Sequence, residues 1–268
     1  MEPIFTALLL SAIAGLSTTI GSFVALFLGK PSNKSISFIM GFSAGVMILL
    51  SFVELLQEGI QTNGTFVGIM FFLLGMGIML LIDMGVSHYY EFEDDSCIDD
   101  NPDLSNRSHH QSGNQLSKQT QLRKTSLLVT LGVFIHNFPE GMATFIGTLK
   151  DFELGLLIMI AIALHNIPEG IAVAATVSSC NDSKVKPFLW SFLSGISEPL
   201  GALTVGLFLF PFISDVLLGA MLSVVGGFMI YISLDELLPM SRSLGKEHLS
   251  ILGISAGMFV MAISLAIL

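Results

Sequence analysis

Long apolar stretches alternate with short polar segments along the whole chain. Eight of these stretches are long enough for a helix to cross the hydrocarbon core of a bilayer, which takes about 20 residues. Backbone N–H and C=O groups find no water in lipid, so only helices and closed barrels satisfy them, and stretches of this length select helices. The pattern predicts an all-α polytopic membrane protein with spans at residues 4–28, 36–60, 66–87, 125–147, 153–177, 188–210, 213–238 and 249–268.

The connections between these spans are short except for residues 88–124. This segment holds seven acidic and three histidine residues, and its second half is rich in Ser, Asn and Gln. It has too few apolar side chains to form a core, so we predict a disordered cytoplasmic loop, with loose metal binding by its histidines as an alternative. The remaining parts are residues 1–87 with spans 1–3, 125–177 with spans 4–5, and 178–268 with spans 6–8.

Basic residues lie almost entirely in alternate loops. Ten of the eleven fall in the first, third, fifth and seventh loops, and only Lys150 falls in another. Because positive residues favour the cytoplasmic side, both termini are predicted to lie outside, on the periplasmic side of a bacterial inner membrane. Both cysteines, Cys97 and Cys180, then lie in cytoplasmic loops, where thiols normally stay reduced.

Composition agrees with this arrangement. Hydrophobic residues make up 52% of the chain, charged residues 12%, and the mean hydropathy is +0.79. A soluble core neither needs nor tolerates so many long apolar stretches. The lipid bilayer is therefore an expected partner, and we expect no nucleic-acid partner and no prosthetic group.

The chain also repeats itself with opposite topology. Residues 15–21 in span 1 resemble residues 195–201 in span 6, and residues 45–56 in span 2 resemble residues 227–238 in span 7. Span 1 runs inward and span 6 outward, so the pattern predicts an inverted repeat of spans 1–3 and 6–8 around a central pair, spans 4 and 5. Many secondary transporters are built this way and bind substrate near the bilayer midplane. Chance similarity between glycine-rich helices is the alternative.

A doubled motif carries the strongest chemical signal. Residues 136–141 and 165–170 both read His-Asn-x-Pro-Glu-Gly. The proline of each copy removes one backbone hydrogen bond, which predicts a bent helix with unwound backbone lining a cavity. Each copy also places a histidine and a glutamate four residues apart on one helical face, which gives a candidate metal site of His136, Glu140, His165 and Glu169.

Other side chains extend this candidate site. Asn137 and Asn166 widen the polar face of each motif, and Glu198 in span 6 is placed to complete a second metal position. Met47 and Glu54 lie two helical turns apart on one face of span 2 and are further candidates. Each has a simpler alternative: helix capping for Glu198, core packing for Met47, and exposure to water for Glu54.

Charge supports a cation as the ligand. The predicted spans contain several acids and no lysine or arginine. A lone charge at mid-bilayer costs at least about 2.5 kcal/mol, so these acids must be protonated, hydrated or neutralised by a cation. A metal also explains the histidines, although a histidine in a span often serves only as a hydrogen-bonding group between helices.

At the doubled motif the chain resembles the ZIP family of metal-ion transporters, and most closely its bacterial ZupT-like branch. The resemblance also covers residues 41–47, 197–201 and 232–239. It implies eight helices with both ends outside, often a homodimer, and import of divalent metal into the cytoplasm by alternating access.

The resemblance also implies roles for residues. His136, Glu140, His165 and Glu169 would form the transport site, and Asn137, Asn166 and Glu198 would form a neighbouring site bridged by the two motif glutamates. Met47 would touch the transported metal, and Glu54 would lie near the inner exit. Some relatives carry Gln-Asp in place of His165-Asn166, which bears on the second metal and on selectivity.

The leading hypothesis is therefore a transporter of divalent transition-metal ions, with Zn²⁺ first and Fe²⁺, Mn²⁺, Co²⁺ and Cd²⁺ as further substrates. Two alternatives are an intramembrane zinc-dependent hydrolase and a passive metal-selective channel. Against the hydrolase, the sequence contains no His-Glu-x-x-His arrangement and no convincing nucleophile–base pair. The channel uses the same ligands and differs in the kinetics of transport.

Overall fold

A computed structural model describes residues 2–28, 32–85, 133–179, 185–212, 214–243 and 247–267. These residues are helical apart from the short connections, and no strand occurs among them. The all-α prediction is confirmed. The predicted loop 88–124, residues 125–132 of the fourth predicted span, and both cysteines lie outside the described residues.

Eight helices make up the described part of the chain, and seven of them are long and apolar enough to cross a membrane. The remaining one is α4, which is described from residue 133. Each helix overlaps one predicted span. Their bounds are α1 Glu2–Leu28, α2 Asn33–Asn63, α3 Thr65–Gly85, α4 133–150, α5 Phe152–Ser179, α6 185–212, α7 Asp215–Ser243 and α8 Glu247–Ile267.

Side-chain caps and one glycine set several helix ends. The hydroxyl of Ser32 accepts from the Ser35 backbone N–H, 3.2 Å away, at the start of α2. Asp151 Oδ1 accepts from the Glu153 N–H, 2.9 Å away, so that α5 begins directly after α4. Between α2 and α3 the chain turns at Gly64, whose φ of 84° is a conformation that glycine adopts without strain.

Contacts at the helix ends show that α2 and α4 run in one direction and α7 runs in the opposite direction. At one end of the bundle, Asn63 Nδ2 donates to the Val216 carbonyl, 3.0 Å away, and Lys150 contacts the end of α2. At the other end, the Ser241 hydroxyl donates to the Ser37 carbonyl, 2.5 Å away. We refer to these as the Lys150 end and the Ser37 end. The predicted orientation places the Lys150 end outside.

Equivalent glycines of the two repeats form equivalent contacts with the two copies of the motif, as an inverted repeat requires. Gly21 in α1 packs against the carbonyl of Ile167, the third residue of the second motif copy. Gly201 in α6, the repeat counterpart of Gly21, packs against the carbonyl of Phe138, the third residue of the first copy. Each repeat therefore meets one copy of the motif in the same way.

The same exchange occurs between the other repeated helices. Gly45 in α2 packs against the carbonyl of Ile254 in α8, and Gly227 in α7 packs against the carbonyl of Phe72 in α3. The alignment that pairs Gly45 with Gly227 also pairs Phe72 with Ile254, so the two contacts are equivalent. The predicted inverted repeat is confirmed by these contacts.

A shared irregularity marks α2 and α7. Both helices widen into a π-helical turn, at Ser51–Leu55 and at Ser233–Leu237, which are equivalent segments of the repeat. The hydroxyl of the first serine in each turn donates to the carbonyl four residues earlier, at 2.7 Å in both cases. Single π-helical turns inside α-helices occur frequently at functional sites.

The helices form two packed units. In the site unit, α1 packs against α5 and α6, and α4 packs against α6 through Gly141 and Gly201. In the frame unit, α2 packs against α8, and α7 packs against α3 and the end of α2. The seam between the units runs along α5 and α2, where the Ser43 hydroxyl donates to the His165 carbonyl, 3.3 Å away.

Candidate metal site

The two motif copies meet at the centre of the site unit, and their side chains pair across the helices. His136 Nε2 lies 3.2 Å from Glu169 Oε2, and His165 Nε2 lies 3.1 Å from Glu140 Oε1. All four side chains are buried. Each histidine therefore contacts the glutamate of the other motif copy rather than the glutamate of its own.

The backbone at the motif remains helical. α4 is continuous over 133–150 and α5 over Phe152–Ser179, so neither helix is unwound at its proline. The prediction of unwound backbone is therefore wrong. A proline removes only one N–H donor, and the hydrogen bonds on either side of it maintain both helices.

The glycine that ends each motif copy allows close packing. Gly141 lies against the carbonyl of Glu198, and Gly170 lies against the carbonyl of Thr18. A methyl group at either glycine would overlap that backbone oxygen. These contacts fix the depth and rotation of α4 and α5 against α6 and α1, and so align the two motif copies.

Asn166 and Glu198 extend the site toward α1 and α6. Asn166 Nδ2 donates to Glu198 Oε1 and also to the Ala14 carbonyl, 3.2 Å away. Glu198 is completely buried. The sequence alternative in which Glu198 caps a broken helix does not describe this contact, because its carboxylate reaches a motif side chain.

Several buried ligand atoms of the site have no hydrogen-bond partner among the described residues. A buried polar atom without a partner is costly, so most such atoms in folded proteins are satisfied by water, ions or protein groups. A cation would satisfy the oxygens in this set. They are Asn137 Oδ1, Asn166 Oδ1, Glu140 Oε2, Glu169 Oε1 and Glu198 Oε2.

Glu236 is a site residue that the sequence analysis did not identify. It lies in the π-helical turn of α7, is 9% exposed, and places Oε2 3.5 Å from His136 Nδ1. Its position in the repeat is the signal that points to it, because Glu236 corresponds to Glu54 of α2. Glu236 brings a carboxylate of the frame unit to an imidazole of the site unit.

Met47 and Glu54 occupy different surroundings. Met47 is completely buried in the main hydrophobic core. Glu54 is half-buried and lies one helical turn before Glu58, which pairs with Lys150. Glu54 therefore lies toward the Lys150 end, and among the described residues it forms no hydrogen bond or ion pair with the motif side chains.

The position of Glu54 conflicts with one expectation. The predicted orientation puts the Lys150 end outside, whereas the resemblance implied that Glu54 lies near the inner exit. Both statements cannot hold together. Glu236, on the repeat-related helix, lies toward the opposite end of the bundle, because α7 begins at the Lys150 end and Glu236 is near its close.

The described His, Cys, Asp and Glu side chains do not form a preformed cluster of three or more metal ligands. Imidazole and carboxylate groups are instead bonded to each other in pairs. Among the described residues, no ion pair to lysine or arginine is formed by Glu140, Glu169 or Glu198, and the carboxylates that surround the two imidazoles outnumber them. An incoming cation would replace the pairing between ligands with bonds to itself.

Comparison with known proteins identifies the family. A family model described as "ZIP Zinc transporter" matches residues 88–265, which is more than half of the chain. The chain belongs to the ZIP family. A ZIP protein of Clostridium perfringens, the zinc transporter ZupT, is 40% identical over 99% of this chain and 96% of its own length.

Two further ZIP relatives have similar coverage. The zinc transporter ZupT of Streptococcus mutans is 41% identical over 98% of both chains. That of Campylobacter jejuni is 42% identical over 100% of this chain and 98% of its own length. The ZIP resemblance inferred at the doubled motif is confirmed over nearly the whole chain, and ZIP proteins are transporters, which excludes the hydrolase alternative.

Proposed function

We propose that this chain transports divalent transition-metal ions across a membrane, with Zn²⁺ as the main substrate. Its ZIP membership, its apolar helices and its buried His–Glu pairs support this function. The single observation that carries the proposal is the crossed pairing of His136 with Glu169 and of His165 with Glu140. It brings two imidazoles and two carboxylates together between helices with no basic partner among the described residues.

The ligands divide into two neighbouring positions. His136, Glu140, His165 and Glu169 would bind the transported ion through nitrogen and oxygen atoms, as zinc prefers. Asn137, Asn166 and Glu198 would bind a second ion beside it, with Glu140 and Glu169 shared. The five partnerless oxygens support this division, because they belong to both groups. Glu198→Gln would then lower the number of zinc ions bound per chain while retaining the transport site.

Selectivity would be broad. Imidazole and carboxylate ligands without thiolate suit Zn²⁺, Fe²⁺, Mn²⁺, Co²⁺ and Cd²⁺. The type of ligand alone does not rank these ions. Most nitrogen and oxygen sites follow the same order of affinity for first-row divalent metals, and cells alter which metal is bound by controlling how much of each is available. Competition between labelled zinc and each of the other ions would rank them for this site.

Movement of the two units against each other would provide alternating access. The motif residues belong to the site unit, and the inverted repeat supplies two related arrangements of the same helices. Glu236 lies across the seam from His136, at the place where an ion leaving toward the Ser37 end would pass. With the Lys150 end outside, this path leads into the cytoplasm of a bacterial cell, and both termini lie outside.

A homodimer fits the outer surface of the frame unit. Only 22% of the residues in the most apolar segment of α3, and likewise of α8, are buried. The exposed faces of both helices carry large apolar side chains such as Leu81 and Phe259. Lipid or a second copy would cover these faces. Cross-linking in native membranes tests the second possibility.

Uptake of labelled Zn²⁺ into proteoliposomes tests the proposed function. Wild type should show saturable uptake, and Glu169→Gln should abolish it because the variant keeps the shape of the side chain but loses a metal ligand. Glu153→Gln, at an exposed position on the same helix, is the matched control and should transport like wild type. Uptake that does not saturate and carries channel-like current would instead establish a passive channel. Wild-type protein that binds zinc without moving it, under gradients of either direction, would refute transport.

A further inference from the structure

Lys150, the last residue of α4, forms a partly buried polar cluster with the end of α2. Its ammonium pairs with the Glu58 carboxylate, and the two side chains are only 19% and 22% exposed. Lys150 Nζ also donates to Thr62 Oγ1, 2.6 Å away. We call these three residues the Lys150 clamp.

The lysine is held firmly to the site unit. Asp151, the next residue, accepts backbone hydrogen bonds from Glu153 and Leu154 and so begins α5 without an intervening loop. Thr148 packs against Gly155 across this turn, where a methyl group on the glycine would overlap the threonine. Lys150 therefore moves with α4 and α5 together.

The glutamate is held equally firmly to the frame unit. Gly59, beside Glu58, packs against Ser223 and Gly219 of α7 so closely that a methyl group would overlap the Ser223 hydroxyl. Asn63, at the end of the same helix, donates to the Val216 carbonyl, 3.0 Å away. The Lys150 clamp thus joins the two units at one end of the bundle.

The inverted repeat does not reproduce this contact at the opposite end. The alignment of α2 with α7, which pairs Glu54 with Glu236, places Met240 at the position equivalent to Glu58. The alignment of the two motif copies places Ser179 at the position equivalent to Lys150. The sequence therefore provides an ion pair at the Lys150 end and no such pair at the equivalent positions of the Ser37 end.

We infer that the Lys150 clamp is a conformational latch that favours the state in which the units are closed together at the Lys150 end. The inference rests on the proposed transport function, which requires the units to separate at each end in turn. Separation of the units at this end would break the ion pair between Lys150 and Glu58, and each charged group would then need to be solvated by water. Because the equivalent positions at the other end carry no matching pair, the latch shifts the population toward one of two otherwise related states.

Distances between spin labels test the latch without measuring transport. Labels attached to cysteines at Thr65 and Glu153 report on the frame unit and the site unit at the Lys150 end, where both positions are exposed. Cys97 and Cys180 are first changed to serine. Lys150→Met and Glu58→Gln should each raise the ratio of longer to shorter distances by roughly three- to tenfold, as expected for loss of a partly buried ion pair.

Two controls separate the latch from general effects of charge or folding. Lys34→Met removes an exposed lysine at the other end of α2 and should leave the distance distribution unchanged. The combined variant Glu58→Lys with Lys150→Glu restores an ion pair and should restore the shorter distances. Wild-type distances in both single variants would overturn the inference, as would failure of the charge exchange to reverse the effect. Absence of zinc uptake by wild type would refute the proposed function and leave the outcome of the distance test unaffected.

Discussion

His136 and Glu169 belong to different copies of the motif, yet His136 Nε2 lies 3.2 Å from Glu169 Oε2. The reciprocal pair, His165 with Glu140, repeats the arrangement at 3.1 Å. Two helices are therefore bridged by the same groups that would bind the metal. A metal ion that binds here must replace the two His–Glu contacts with bonds to itself. Metal binding is therefore coupled to the relative position of α4 and α5.

The crossed pairing predicts strong coupling between its members. His136→Ala and Glu169→Gln should each weaken zinc binding, and the double variant should weaken it by less than the sum of the two. The expected coupling is about 0.5–3 kcal/mol, the range for residues in direct contact. Zinc affinity measured by competition with a chelating dye provides the four values of the cycle. Simple additivity would show that the pair does not act as one unit.

Glu236 is predicted to support metal binding through His136. Because its carboxylate lies against the second ring nitrogen of His136, Glu236→Gln should weaken zinc affinity by roughly tenfold, as for other groups that orient a metal-binding histidine. Asp215→Asn, at an exposed position on the same helix, is the control. Equal zinc affinities for Glu236→Gln and wild type would remove Glu236 from the site.

Zinc binding is expected to weaken as the pH falls. The ligands bind metal in their deprotonated forms, so protons compete with zinc, and each proton displaced changes the apparent affinity by about tenfold per pH unit. Excess zinc should reverse the loss, because zinc and protons compete for the same ligand atoms. Equilibrium binding across pH 5 to 8 measures the slope, which His248→Gln, an exposed histidine of α8, should leave unaltered. A flat profile in wild type would contradict proton displacement.

Close packing between α1 and α6 predicts a large effect of one glycine substitution. Gly15 and Gly195 stand so close that a methyl group on either would overlap the backbone oxygen of the other. Gly15→Val should therefore destabilise the protein by at least about 1–3 kcal/mol, the usual cost of overpacking. Gly77→Val is the matched control, because among the described residues no atom of another helix lies within 4 Å of a methyl group there. Thermal unfolding in detergent compares the two, and equal melting temperatures would show that the helices adjust freely.

The sequence by itself determined the helices, the repeat and the motif. Apolar length specifies a membrane helix because lipid leaves the backbone no other partner, and all eight predicted spans overlap helices. Spacing within a helix also follows from sequence, since residues four apart share a face. That rule places His136 beside Glu140 and His165 beside Glu169 without reference to any contact between helices.

Only the tertiary structure decided which groups meet between helices. Those contacts depend on the depth and rotation of each helix, which packing at positions such as Gly141 and Gly201 sets and which spacing along the chain does not encode. The crossed pairs, the approach of Glu236 to His136, and the pairing of Lys150 with Glu58 all arise in this way. So does the position of Glu54, which lies toward the Lys150 end although its repeat partner reaches the site.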